Sequence, residues 1–269
     1  MTVRVKLVVT VAILAVATIG CGKRSGETAG RELADAIART NEGGPIRFEE
    51  TVKVRGGDRE RITIQITGTA DAATREARLR MESSRTGDGP VSQVAREIDE
   101  LDGELATRGG ETFYFRSPVV DRRYRLRGRW IKMSASDTRT SATGLFGNPA
   151  FGPLDPARPV DHLRAARHVR DEGDGHYAMT VDYDLYLDIL GPLQRRLFER
   201  KLETVRRTTG RTAFPAEASV GGDGRISQIK GQFRSALGVE LAAYTLVVTP
   251  AAGRPEIPTR TVLLEELLR

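Results

Sequence analysis

Three successive stretches of this 269-residue chain alternate apolar and charged side chains with a period of two, and no other feature limits the fold as much. Ile46, Phe48, Val52 and Val54 alternate with Arg47, Glu49, Thr51 and Lys53, and Glu50 is the single polar residue on the apolar side. After a Gly56-Gly57-Asp58 turn, Ile62, Ile64 and Ile66 alternate with Arg61, Thr63, Gln65 and Thr67; then Ala77, Leu79 and Met81 stand against Arg78, Arg80 and Glu82. Successive side chains of a strand point to opposite faces. The pattern therefore predicts antiparallel strands in a sheet that is apolar on one side and wet on the other.

The same period returns further on. Residues 105–107 and 112–116 read as a hairpin turning at Arg108-Gly109-Gly110, with Phe113 and Phe115 on one face. Residues 122–127 and 129–134 read as another, turning at Gly128. Tyr177, Met179, Val181, Tyr183 and Leu185 alternate with His176, Thr180, Asp182 and Asp184. Residues 214–220 and 226–233 flank a Gly221-Gly222-Asp223-Gly224 turn, 241–249 makes one more strand, and 262–268 closes the chain. Helical spacing is confined to a few places: Leu33 and Ile37 among alanines, ending near Gly43-Gly44-Pro45; 155–166 around Val160 and Leu163; and a long helix opened by Pro192, with Leu193, Leu197, Phe198, Leu202 and Val205 on one side. Val91, Val94, Ile98 and Leu101 fit a helix or an irregular approach to the next strand. Residues 138–153, rich in Thr, Ser, Gly and Pro, read as a long loop. About ten strands with few helices make an α+β fold, a curved antiparallel half-barrel with the helices on its concave side.

The N-terminus is an export address. Arg4 and Lys6 precede an apolar run from Leu7 to Ile19, and a small residue, Gly20, precedes Cys21. The run is too short to span a bilayer, which needs about twenty residues. Residues 1–20 read as a signal peptide, 21–28 as a polar tether and 29–269 as one domain. Thr18-Ile19-Gly20-Cys21 resembles the lipobox of bacterial lipoproteins, in which the cysteine is diacylated. Cys21 is the chain's only cysteine, so no intramolecular disulfide is possible and the fold must be held by burial. The formal charge of +6 is mild and scattered, and two of its cations stand before Cys21. Nucleic acid is excluded as a partner on that ground and by export.

Catalytic and metal-binding signatures are not found. The chain has no GxSxG, HExxH or phosphate-binding loop. His162, His168 and His176 are too sparse for a metal site and read as surface or structural residues, none of them needed for activity. Asp182 and Asp184 read as solvated acids sharing one strand face. Trp130 reads as the anchor of a strand end in the core. Arg195, Arg196, Arg200, Arg206 and Arg207 form a basic helix face suited to anionic headgroups.

The order of lipobox, first helix, alternating strands, Arg129-Trp130-Ile131-Lys132, Asp155-Pro156, His176-Tyr177 and Gly222-Asp223-Gly224-Arg225-Ile226 resembles the actinobacterial lipoproteins of the LppX/LprG type, related in fold to the LolA and LolB carriers. The resemblance implies a half-barrel enclosing an apolar cavity that holds lipid or lipoglycan acyl chains, with no cofactor. Ile62, Ile64, Ile66, Leu79, Met81, Phe113 and Phe115 are the expected lining, and Cys21 the lipid anchor to the outer face of the membrane. The expected function is a membrane-anchored envelope lipoprotein that binds, and in its relatives transfers, an acylated molecule. A tethered structural or protein-interaction module with a filled core is the alternative; its protein partner is not named by the sequence.

Overall fold

A computed structural model describes residues 26–55, 60–87, 102–134 and 155–267. Helix α1 (Gly26–Glu42) buries Ala29, Leu33, Ala36, Ile37 and Thr40, one stripe at helical spacing. It begins earlier than expected, so residues 26–28 belong to the helix and not to a tether. Strands β1 (Ile46–Arg55), β2 (Arg61–Asp71) and β3 (Glu76–Thr86) follow the alternation, with Ile62, Ile64, Ile66, Leu79 and Met81 all buried. β4 (Gly103–Arg108) and β5 (Thr112–Arg116) form the expected hairpin. The stretches 91–101 and 138–153 lie outside the described residues.

Three expectations are corrected by local capping and pairing. Residues 122–127 do not make a strand: the Ser117 hydroxyl accepts from the Val120 N–H at 3.1 Å and Pro118 pre-sets the first turn, so helix α2 (Pro118–Tyr124) forms before β6 (Trp130–Ser134). Residues 155–166 give only a 3₁₀ turn (Asp161–Ala165) that leads into a strand the pattern did not show, β7 (Ala166–Gly173). β8 (His176–Asp182) stops where the Asp182 carboxylate accepts from the Asp184 and Leu185 N–H groups, starting helix α3 (Tyr183–Ile189). Asp182 and Asp184 therefore do not share a strand face.

The remaining elements are helix α4 (Pro192–Thr209), strands β9 (Ala213–Val220), β10 (Ile226–Arg234), β11 (Glu240–Pro250) and β12 (Thr261–Leu263), and helix α5 (Leu264–Leu267). All twelve described strands join one sheet in the order β12-β6-β5-β4-β3-β2-β1-β11-β10-β9-β8-β7. Every pairing is antiparallel except β12 with β6. Among the described residues β12 and β7 are the two edges, so the sheet is open, and a strand-to-strand twist of about 20–25° accumulates over it into a half-barrel.

Two aromatic rings press against glycines of the neighbouring strand. Phe48 faces Gly68 and Tyr244 faces Gly231, and a Cβ at either glycine would stand within 2.6 Å of the facing ring. On the inner face one large cluster runs from β4 through β1 to β7 and takes in α1, α3 and α4 through Leu33, Ile37, Tyr183, Tyr186, Phe198 and Leu202. A smaller cluster of Phe115, Leu126, Ile131, Met133, Val262 and Leu264 closes the β6–β12 end.

The outer face carries a strap. After β11 the chain crosses back over β1 to β5 and delivers β12 beside β6. Arg254 pairs with Asp71 at 3.2 Å, Glu256 pairs with Arg78 at 3.1 Å, and Ile257 covers Ala106, Tyr114 and Trp130. Trp130 thus anchors this outer layer, not the main core. The Arg78 and Arg116 guanidinium groups lie 5.5 and 5.0 Å from its ring centre, and both bond Glu104. Burial raises the Glu104 pKa, but the two arginines outweigh it and hold it below the ordinary value.

Candidate functional site

The apolar inner face holds one buried polar chain. Glu50, in the middle of β1, sits between Ile66 of β2 and Leu246 of β11. Its Oε2 has no hydrogen-bond partner, and burial pushes its pKa up to about 8, so it is held mostly as the neutral acid at pH 7. Beside it stand the hydroxyls of Tyr183 and Tyr244, whose pKa values burial raises and the Glu50 charge raises further. Tyr183 is enclosed by Phe198, Phe214 and Phe233 at 5.9–6.1 Å between ring centres.

The chain continues to His162, which is buried and not a surface residue. Its Nδ1 lies 3.1 Å from the Pro159 carbonyl oxygen, which can only accept, so Nδ1 carries the proton. Nε2 is then the acceptor, and the Tyr244 hydroxyl donates to it at 3.1 Å. Burial lowers the His162 pKa to about 4, so the ring is neutral and the tautomer single. The neighbouring Asp161 accepts from the Asn41 amide at 2.6 Å, tying the 3₁₀ turn to α1. His168 and His176 are exposed and take no part; His176 pairs with the Ser219 hydroxyl at 3.0 Å.

The seven expected lining residues do not form one group. Ile62, Ile64, Ile66, Leu79 and Met81 lie in the large cluster, Phe115 lies in the β6–β12 cluster, and half-buried Phe113 touches both. α1 packs chiefly on β7 and β10, away from the β2–β3 face that carries five of the seven. Toward Thr86 the inner side of β3 turns polar, with Ser83 and then Arg85, which pairs with buried Glu60 at 2.6 Å. Two clefts bounded by described residues, about 630 and 430 Å³, open on the polar side of β7–β10 among Arg170, Ala178, Glu217 and Lys230, and none of the seven lines either; a third, about 440 Å³, lies beneath the strap among Arg47, Thr67, Arg80 and Glu256, and of the seven only Leu79 borders it. Cys21 lies outside the described residues.

Sequence reasoning missed the Tyr183, Tyr244 and His162 chain. Two signs of it stand in the sequence: Glu50, a charged residue in an apolar row, and Gly231, a glycine in mid-strand against which Tyr244 packs.

What the fold and this interior define is an open, mostly antiparallel half-barrel with helices on one face and an apolar inner surface. Among solved structures the chain is similar to LprF from Mycobacterium bovis, at 13% identity over 89% of this chain and 99% of that chain, with a TM-score of 0.41. It is also similar to the dehydratase domain from the CurK module of curacin polyketide synthase (8% identity, 84% and 81% covered, TM-score 0.20) and to a porin-like protein from Bacteroides uniformis (9% identity, 77% and 95% covered, TM-score 0.21). No family model and no curated protein matches the chain.

Proposed function

We propose that the protein is exported, held on the outer face of the cell membrane by a diacylated Cys21, and binds a lipid or other acylated molecule against the inner face of β2–β5. Its role in this reading is to hold and hand on a ligand, not to transform one. The observation that carries it is the inner row Ile62, Ile64, Ile66, Leu79 and Met81, wholly apolar, bordered by half-buried Phe113 and ending at the polar Ser83 and Arg85. Acyl chains bind such a surface by burial, at about 0.8 kcal/mol per methylene, and need no directional partner. The N-terminal leader and the lipobox-like Thr18-Ile19-Gly20-Cys21 support the anchor.

The deciding experiment is mass spectrometry of an organic extract from the purified protein. A defined lipid recovered in near-stoichiometric amount is the expected result. A protein that yields none, and takes up none from added fatty acid, would instead be a tethered interaction module with a filled core; the polar clefts on β7–β10 are the observation that favours this second reading.

A further inference from the structure

The turn between β10 and β11 is apolar where its geometry asks for nothing apolar. Gly238 supplies the positive φ (+81°), its N–H bonds the Ser235 carbonyl at 2.9 Å, and the Ser235 N–H bonds the Val239 carbonyl at 2.8 Å. Position 237 needs only a residue that faces water. It is Leu237, 92% exposed, with Val239 beside it 44% exposed. Arg234 precedes the turn and the Arg211 guanidinium reaches its Ala236 carbonyl at 3.5 Å; among the described residues neither arginine has an ion-pair partner. Arg234 also donates to the Gln232 side chain at 2.7 Å, and exposed Glu240 stands opposite it in register, so the turn carries two cations and one acid. An exposed apolar tip flanked by two arginines, with a net positive charge, suits the surface of a bilayer with anionic headgroups.

Where the chain enters the fold points the same way. The Thr40 hydroxyl accepts from the Ile226 N–H at 2.9 Å, which fixes the C-terminal end of α1 at the start of β10. Gly26 lies fourteen residues earlier in α1, about 21 Å back along the helix. The same length of β10 is about six residues, which reaches Gln232, next to the turn. Gly26 and Gln232 do line one cleft. Cys21 is five residues before Gly26, a span of at most about 18 Å. Cys21 is therefore tethered to the end of the molecule that carries the Leu237 turn, within that reach of Gly26.

We infer that the β10–β11 turn is a second membrane contact, in which Leu237 and Val239 enter the headgroup region of an anionic bilayer and Arg211 and Arg234 bind lipid phosphates. This orientation rests on the proposed anchor at Cys21, whereas insertion of the turn does not. Of the α4 arginines, Arg195 pairs with Asp188 and Glu199, and Arg206 with Asp184 and Glu203, so the charges of these two are offset. The inner-face residues Ser83 and Arg85 lie toward the bilayer at this end of the sheet, since Arg85 is opposite Ile62, Ile62 opposite Val54, and Val54 opposite Ala242 just after the turn.

The test uses the full chain purified with its N-terminus as processed in the cell, carrying L237C or, at the other end of β10, G222C. Gly222 has open space around its Cβ position and an ordinary backbone, so neither change threatens the fold. Each is labelled with an environment-sensitive dye and added to vesicles of phosphatidylcholine with or without phosphatidylglycerol. The expected result is a blue shift and a several-fold loss of iodide quenching for L237C on the anionic vesicles only, reduced by salt and by the R211Q and R234Q changes, with G222C unaffected. Equal quenching at both positions would overturn the inference. So would shielding of L237C by a membrane-protein fraction but not by pure lipid, which would make the turn a protein contact. Intact mass reports acylation of Cys21 separately: an unacylated chain whose L237C still inserts removes the anchor and leaves the turn.

Discussion

The Tyr244 hydroxyl donates to His162 Nε2 at 3.1 Å, joining β11 to a 3₁₀ turn 82 residues earlier in the chain. With Nδ1 donating to Pro159, both ring nitrogens are used in a buried place, and the ring works as a spacer of fixed tautomer. Its exchange for Gln keeps a donor and an acceptor but gives up the rigid spacing of the ring nitrogens, which weakens one bond or both. H162Q should lose about 1–3 kcal/mol of stability by denaturant unfolding, whereas H168Q and H176Q should change it by less than about 0.5 kcal/mol. Ligand binding should survive in all three.

Glu50 and His162 pull the pH dependence of stability in opposite directions. Burial raises Glu50 from 4.5 to about 8, so the folded state holds a proton that the unfolded chain releases near 4.5. Its contribution is complete below about pH 4.5 and is lost as pH rises through about 8. His162 is lowered from 6.5 to about 4, so its contribution is present above about 6.5 and is lost as pH falls through about 4. The melting temperature should therefore drop between about pH 5 and about pH 8.5, by an amount worth a few kcal/mol, and E50Q should flatten that drop while leaving the acid limb unchanged. A parent protein with no loss on the alkaline side would show that Glu50 is ionised in the fold.

Cys21→Ser removes the sulfur that receives the diacyl group. The variant should leave the membrane fraction and appear as soluble or unprocessed chain, because two acyl chains hold where one is marginal. A processed C21S chain that stays in the membrane fraction would contradict the anchor.

Arginine at each of the seven lining positions separates cavity from core. Ile64 and Ile66 are 1% exposed on central β2, and a guanidinium there has no route to water, so I64R and I66R should unfold the protein. Half-buried Phe113 lies between two clusters, and F113R can extend its head outward. F113R should keep a cooperative melt while losing extractable lipid. Unfolding at all seven positions, in a protein that carries no lipid, would favour the filled core.

Period-two alternation in 46–54, 62–66 and 77–81 was enough to set β1 to β3 and their buried faces, because in a one-sided sheet the identity of each side chain and its face are the same information. Pro192 with its apolar stripe likewise set α4. Where alternation ran on past a cap, it misled: Tyr183 and Leu185 continue the rhythm of β8, yet two N–H groups captured by Asp182 turn the chain into a helix. β7, with only Val169 buried among exposed neighbours, is a strand because it pairs with β8, and β12 exists because the strap carries Thr261 to Trp130. Those pairings join residues far apart in sequence, so no local pattern encodes them. The same holds for the interior. Glu50 stood out in the sequence as a charge in an apolar row, but that it meets Tyr183, Tyr244 and His162 depends on four elements converging, and its raised pKa follows from the low dielectric which that convergence creates.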